Sequence, residues 1–216
     1  MKLLFISLGC DKNLVDSEVM LGELNKRGYS FTEDETEADV IVVNTCCFIN
    51  DAKEESINTI LEMAEYKNAG SCKALIVTGC LAQRYRQEII DEIPEVDAVL
   101  GTTSFDHISE AIEEALGGQH MTKFDDLQKL VKSEHHRILT TGGHYAHLKI
   151  AEGCDKHCTY CIIPKIRGTY RSVPMEELVE EATYLVSQGV KELILVAQEQ
   201  RFMVLIYMER NLYISC

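Results

Sequence analysis

Ala38-Asp39-Val40-Ile41-Val42-Val43-Asn44-Thr45 carries apolar residues without a break from Val40 to Val43. A strand with one wet face alternates apolar and polar residues. An unbroken run is buried on both faces, as in a parallel sheet covered by helices. Comparable β-branched runs lie at 2–8, 73–78 and 98–100. Helical patterns separate them. Leu14, Met20, Leu21 and Leu24 form one stripe, closed by Gly28; Ala52, Ile57, Ile60, Leu61 and Ala64 form another, closed by Gly70. Ile89, Ile90 and Ile93 belong to a third, ended by Pro94. Ser104 is placed to cap a fourth, with Ile108, Ala111, Ile112 and Leu116 inside it. Strand–helix alternation of this kind specifies an α/β fold with an open, doubly wound parallel sheet.

The rhythm breaks after Gly117-Gly118. Residues 1–120 are read as one domain and 121–143, polar and closed by Gly142-Gly143, as a linker with at most one helical turn. A second unit begins at 144 and runs to 199: a strand at 145–151, a cysteine-rich loop to Ser172, a helix at 175–187 and a strand at 192–197. Pro174 suits the first helical turn, Glu176 and Glu177 favour its positive end, and Gly189 closes it. This is one βαβ unit.

Composition narrows the function classes. Apolar residues are 46% and charged residues 26%, which suits a packed globular chain and not a disordered one. Net charge is −14, and the whole imbalance lies in residues 1–120. An acidic first half repels a polyanion, so composition argues against direct nucleic-acid binding. No apolar run reaches the roughly 18 residues of a membrane helix, and the apolar N-terminal stretch lacks a cleavage site, so a cytoplasmic protein with no membrane partner is expected. Nine cysteines without an export signal point to metal ligation, redox chemistry or core thiols rather than a disulfide scaffold.

Cys154-Asp155-Lys156-His157-Cys158-Thr159-Tyr160-Cys161 is a C-x3-C-x2-C loop following a strand. Structural zinc takes four ligands, and the loop supplies three, with His157 or a distant cysteine as a possible fourth. A cubane iron–sulfur cluster can use three thiolates and keep one iron open. A second set is spread through the first domain. Cys10, Cys46 and Cys80 each fall just past a strand, about one strand–helix period apart. Strands of a parallel sheet end on one edge, so the three thiols can converge there; the alternative is three separate core thiols. Cys47 and Cys72 are read as structural.

C-x3-C-x2-C with Tyr160 before the last cysteine resembles the radical S-adenosylmethionine (SAM) signature. The stretches Leu8-Gly9-Cys10-Asp11-Lys12-Asn13-Leu14-Val15-Asp16-Ser17-Glu18, Asn44-Thr45-Cys46 and Thr78-Gly79-Cys80-Leu81-Ala82-Gln83-Arg84-Tyr85 resemble the N-terminal domain of the methylthiotransferases. The resemblance implies two [4Fe–4S] clusters. One, at Cys154, Cys158 and Cys161, would bind SAM on its open iron and generate a 5′-deoxyadenosyl radical. The other, at Cys10, Cys46 and Cys80, would be the auxiliary, sulfur-handling cluster. The implied fold is an N-terminal doubly wound methylthiotransferase domain followed by the start of a radical SAM (β/α) barrel. No further catalytic residue is assigned.

The first motif, with Lys12 where tRNA-modifying members more often carry methionine, and Tyr160-Cys161-Ile162-Ile163-Pro164-Lys165-Ile166-Arg167-Gly168 resemble the RimO branch. That branch methylthiolates the β-carbon of an aspartate in small-subunit ribosomal protein twelve, with an electron donor as second partner. A tRNA (adenosine) methylthiotransferase is the enzymatic alternative, and an iron–sulfur binding fragment without turnover the non-enzymatic one. Lys165, Arg167 and Arg171 are candidates to meet carboxylates of SAM or substrate, against the alternative of loop-surface charge. The family pattern stops at Glu199. Back-translated and read one nucleotide earlier, the residues from 200 to 216 give a continuation like the family's. A frameshifted tail at 200–216 and an incomplete, inactive barrel are therefore expected.

Overall fold

The structure, a computed structural model, describes residues 1–131 and 137–200. The expected tail at 200–216 lies outside the described residues except for Gln200. The chain divides into two compact units, Met1–Ile138 and Leu139–Cys216.

The first unit runs β1 (Lys2–Ser7), α1 (Asp11–Lys26), β2 (Ser30–Phe31), β3 (Val40–Thr45), α2 (Asn50–Asn68), β4 (Ala74–Gly79), α3 (Cys80–Tyr85), α4 (Gln87–Glu92), β5 (Ala98–Leu100), α5 (Ile108–Leu116) and β6 (Met121–Lys123). All six strands are parallel, in the order β2-β1-β3-β4-β5-β6. Val40 to Val43 are fully buried, as are Leu75, Ile76 and Val77 on β4. That burial is why these strands read as unbroken apolar runs. Alternate residues divide between the two faces. Leu3, Val40, Val42, Ala74, Ile76, Ala98 and Leu100 pack with Met20 and Leu24 of α1 and with Ile108, Ala111, Ile112 and Ala115 of α5. Helix α2 packs on β3 and β4, and Ile41, Val43, Leu75 and Val77 point to the face opposite the α1–α5 core. The α/β class and the doubly wound parallel sheet are thus present as expected.

Within the first unit the structure departs from the sequence reading in four places. Met121–Lys123 belongs to the sheet as its edge strand β6, so the sheet extends past residue 120 into the stretch read as linker. The unit boundary falls at Ile138, where the backbone N–H donates to the Glu18 carbonyl and Arg137 pairs with buried Glu18 at 3.2 Å. On α2, Ser56 and Met63 are buried while Leu61 is exposed; the polar Ser56 sits inside because it binds the backbone of Cys46. Ser104 does not cap a helix: its hydroxyl accepts from Asp125 N–H at 2.7 Å, and a 3-10 turn precedes α5.

The second unit holds β7 (Tyr145–Lys149), β8 (Ala151–Glu152), α6 (Ile163–Arg167), β9 (Arg171–Ser172), α7 (Met175–Ser187) and β10 (Glu192–Val196). Strands β7 and β10 pair in parallel, joined through α7, whose Leu178 and Leu185 cover Ala146, Leu148 and Ile150. The strand expected at 145–151 ends at Lys149, and Ala151–Glu152 forms a separate antiparallel ladder with β9. This is one βαβ unit of an incomplete barrel. On β10, Ile194 and Leu195 remain 38% and 49% exposed. No helix among the described residues is long and apolar enough to cross a membrane.

Candidate iron–sulfur sites

In the first unit the polypeptide leaves β1, β3 and β4 at the same sheet edge, and each strand is followed at once by a cysteine. Cys10 precedes α1, Cys46 follows Thr45, and Cys80 opens α3. Strands β1 and β3 are neighbours whose following connections run to opposite sides, so Cys10 and Cys46 flank the switch point where parallel sheets bind ligands. The structure therefore brings the three predicted residues to one edge, on adjacent strands. None of the three is in a disulfide; Cys10 is exposed, and Cys46 and Cys80 are buried.

Close backbone approach builds this edge. Gly9 has φ +94°, and a Cβ on it would stand 2.5 Å from Cys46 Cβ and 2.8 Å from its Sγ. Gly79 has φ +93°, and its Cβ would stand 2.3 Å from Asn44 Oδ1. Glycine is required at both positions by conformation and by space. Beneath the cysteines lies a buried polar layer. Asn44 Nδ2 donates to the Asn13 carbonyl at 3.0 Å and to Ser17 Oγ at 2.9 Å; Ser17 Oγ lies 2.7 Å from Ser7 Oγ. Thr45 Oγ1 donates to the Thr78 carbonyl at 2.5 Å. Ser56 Oγ both accepts from Cys46 N–H and donates to the Cys46 carbonyl, each at 2.9 Å. Asn13, Asn44 and Ser56 were not singled out from sequence. Polar residues directly beside the Gly-Cys and Thr-Cys turns were the available signal.

Cys47 and Cys72 are buried away from this role. The Cys47 thiol donates to the Cys80 carbonyl and the Cys72 thiol to the Ala74 carbonyl, both at 3.2 Å. Burial pushes both thiols above their ordinary pKa.

In the second unit, β8 and β9 clamp the two ends of the Cys154–Cys161 loop. Cys154 N–H donates to the Gly168 carbonyl at 3.1 Å, and Tyr170 N–H donates to Asp155 Oδ1 at 2.8 Å. Cys161 N–H donates to the Cys158 carbonyl at 2.9 Å, turning the chain between the last two cysteines. His157 has φ 43°, a left-handed kink between Cys154 and Cys158. All three thiols are free and at least partly exposed, so they are open to a ligand. Tyr160 is 90% exposed. The candidate cations divide. Arg167 is buried and pairs with Glu152 at 3.2 Å, and Lys149 reaches the same carboxylate at 3.0 Å. Arg171 donates to the Thr169 and Arg167 carbonyls. These two arginines hold the loop base, and Lys165 is the exposed member of the trio.

Each unit thus presents three thiols on backbone turns, none of them in a disulfide. A different grouping, Asp106, His107 and Asp125, places one potential ligand atom from each within 4.8 Å of the others. Lys129 Nζ lies 2.7 Å from Asp106 and 2.6 Å from Asp125, so an ammonium group already occupies both carboxylates.

Residues 2–101 match the family model described as "Uncharacterized protein family UPF0004", and residues 148–214 match the "Radical SAM superfamily" model. The second match runs past Glu199, where the sequence reading ends the family pattern. Curated proteins named "Ribosomal protein uS12 methylthiotransferase RimO" are similar over nearly the whole chain. The protein from Lachnoclostridium phytofermentans is 71% identical over 199 residues, 92% of this chain and 45% of its own length. Those from Acetivibrio thermocellus and Clostridioides difficile are 55% and 49% identical, covering 90% and 92% of this chain and 44% and 45% of their own lengths. The chain thus spans about half the length of the curated relatives it matches. Carrying both modules in this order at this identity, the chain belongs to the radical SAM methylthiotransferase family, in its RimO branch.

Proposed function

We propose that the chain holds two [4Fe–4S] clusters, one on Cys154, Cys158 and Cys161 and an auxiliary one on Cys10, Cys46 and Cys80. The activity they serve is methylthiolation of the β-carbon of an aspartate in ribosomal protein uS12, with SAM as cofactor and an electron donor as partner, in the cytoplasm. The observation that carries the two-centre reading is the arrival of three cysteine loops at one sheet edge of the first unit, together with a separate three-cysteine loop held within the second unit.

When bound, an iron–sulfur cluster with SAM supplies radical chemistry able to remove hydrogen from an unactivated carbon. The chain's own residues position it. Gly153, Glu152 and Arg167 fix the base of one loop, and Asp155 ties its rising limb to Tyr170. Gly9, Gly79 and Ser56 fix the other three loops. The acidic balance of residues 1–120 favours a protein substrate over tRNA, because a polyanion meets repulsion there. The relatives continue for as much chain again, and two parallel strands with one helix do not close a barrel. Turnover is therefore assigned to the longer protein.

Anaerobic reconstitution tests the reading. The chain should take up about eight irons, two four-iron cubanes. Replacing Cys154, Cys158 and Cys161 by Ala, or Cys10, Cys46 and Cys80 by Ala, should each halve that. Iron content unchanged by either triple substitution removes that site. Robust 5′-deoxyadenosine production by the 216-residue chain would overturn the assignment of turnover to the longer protein.

A further inference from the structure

We propose that Asn13 is a positioning residue for the centre at Cys10, Cys46 and Cys80, its single side-chain amide holding the three cysteine loops together in the metal-free chain, before the Cys80 thiol gives up its proton to become a ligand. The inference rests on the auxiliary-cluster reading above. Asn13 lies in the first turn of α1 and is fully buried. Its Nδ2 donates to the Leu8 carbonyl and to the Thr45 carbonyl, each at 2.9 Å. Leu8 belongs to the loop that carries Cys10, and Thr45 immediately precedes Cys46. Its Oδ1 accepts from the Cys80 thiol at 3.6 Å. One planar group therefore touches each of the three loops.

The orientation of this amide is determined. Nδ2 has two hydrogens, and two carbonyls take them. Turning the amide over would set its oxygen against both carbonyls. The contacts also answer a need of the fold. Where the chain leaves a parallel sheet its carbonyls lose their ladder partners, and a buried carbonyl must find another donor. Asn13 supplies that donor to two adjacent strand ends at once. The arrangement is tight: a Cβ on Gly9 would stand 3.3 Å from Asn13 Nδ2, and the Asn13 backbone is itself held by Asn44. Aspartate at this position would place an acceptor where two carbonyls need a donor. Alanine would leave both carbonyls unsatisfied and the loops free to separate. Loss of an outer partner of a metal ligand costs about tenfold or more in affinity.

The test uses the full chain with Cys154, Cys158 and Cys161 replaced by Ala, so that only the first unit reports. Three quantities are measured: arsenite affinity of the metal-free chain, which depends on three thiols lying close together; iron bound after reconstitution; and the rate of iron loss to a chelator. Asn13→Ala and Asn13→Asp are compared with Asp97→Ala. Asp97 accepts from Leu75 N–H at 2.8 Å at the opposite end of the same sheet, so its loss weakens the fold without touching the cysteine loops. Both Asn13 variants should lose about tenfold in arsenite affinity and release iron faster, while Asp97→Ala keeps both properties. Should Asn13→Ala fail to fold, Asn13→Ser, with a donor too short to span two loops, carries the same measurements. Arsenite affinity and iron-loss rate equal to the parent's, or losses matching those of Asp97→Ala at equal thermal destabilisation, would overturn the proposal. A parent that binds arsenite but no iron would instead overturn the cluster reading and leave the effect of Asn13 on the thiols measurable.

Discussion

At the base of the second cysteine loop, the Thr169 carbonyl oxygen occupies the place of a side chain on Gly153. A Cβ there would stand 1.9 Å from that oxygen, and Gly153 holds φ +72°. Neither the clash nor the backbone conformation can be relieved by moving a flexible side chain, because the opposing atom is backbone. Gly153→Ala should therefore open the β8–β9 clamp that sets Cys154. The left-handed conformation alone costs a non-glycine residue about 1–2 kcal/mol, and the clash adds to it. The expected outcome is loss of about half the iron from the reconstituted chain, with the first-unit centre intact. Full iron content in Gly153→Ala would show that the clamp does not position Cys154.

A second prediction separates the cysteines that serve a centre from those that do not. Cys47→Ser keeps a donor for the Cys80 carbonyl, and Cys72→Ala removes a weak bond to the Ala74 carbonyl. Both should leave iron content unchanged, at a stability cost of about 1 kcal/mol each. In the native apo chain the two thiols should also resist alkylation at a pH where Cys10 and Cys158, both exposed, react. Iron loss on Cys47→Ser would make Cys47 part of the centre.

Much of the fold was legible because burial left a direct trace in composition. Val40 to Val43 and Leu75 to Val77 are buried on both faces, and nothing but apolar residues can fill such strands. Cys10, Cys46 and Cys80 could be grouped from sequence because chain order and a parallel sheet together place strand ends on one edge, and Cys154, Cys158 and Cys161 because they share one short loop. Short elements were not. Met121–Lys123 is only three residues long, with one buried side chain, and joins the sheet through backbone bonds that any sequence can make. Helix α3 was not read at all: it is six residues long and parts from α4 at Arg86, whose φ of 50° breaks the helix without glycine or proline. The roles of Asn13 and Ser56 depend on partners more than thirty and ten residues away in sequence, which no local pattern encodes. Arg167 stood among three cations read either as partners for carboxylates of SAM or substrate or as loop-surface charge; it is buried and pairs with Glu152, a contact that no local pattern encodes.

That pairing makes a third prediction. Arg167 and Glu152 are both buried, and removing one partner strands the other's charge. Arg167→Ala should destabilise the second unit by about 3 kcal/mol, at the low end for a broken buried pair, since Lys149 stays on the same carboxylate. Arg167→Ala combined with Glu152→Ala should cost less than the sum of the two single changes, because the double variant strands neither member of the pair, and the loss of the Lys149 partner is common to both proteins that lack Glu152. Urea unfolding of the four proteins reads this coupling directly. Additive costs would mean that the pair is not coupled.

The last prediction concerns pH and the cluster at the end of β6. Asp125 is held below its ordinary pKa, chiefly by the hydrogen bond from Lys129, with the charges of Lys129 and His107 adding to it. Lys129 Nζ bridges Asp125 and Asp106, and His107 Nε2 lies 3.3 Å from Asp125. A carboxyl whose folded-state pKa is depressed contributes stability that is present above its unfolded pKa. That contribution is lost as pH falls through the folded value. The window is therefore acidic, below about pH 4, and neutral conditions lie on its plateau. Asp125→Asn keeps the shape and the backbone bond to Ser104 Oγ but removes the charge. Its melting temperature should fall below that of the parent at about pH 7, and the gap should narrow as pH falls below about 4 and the parent's carboxyl takes up its proton. Added salt should narrow the gap at neutral pH, because Lys129 and Asp106 are partly exposed. A gap that stays constant from neutral to acidic pH would mean that Asp125 acts through packing, and the ion-pair account of this cluster would fail.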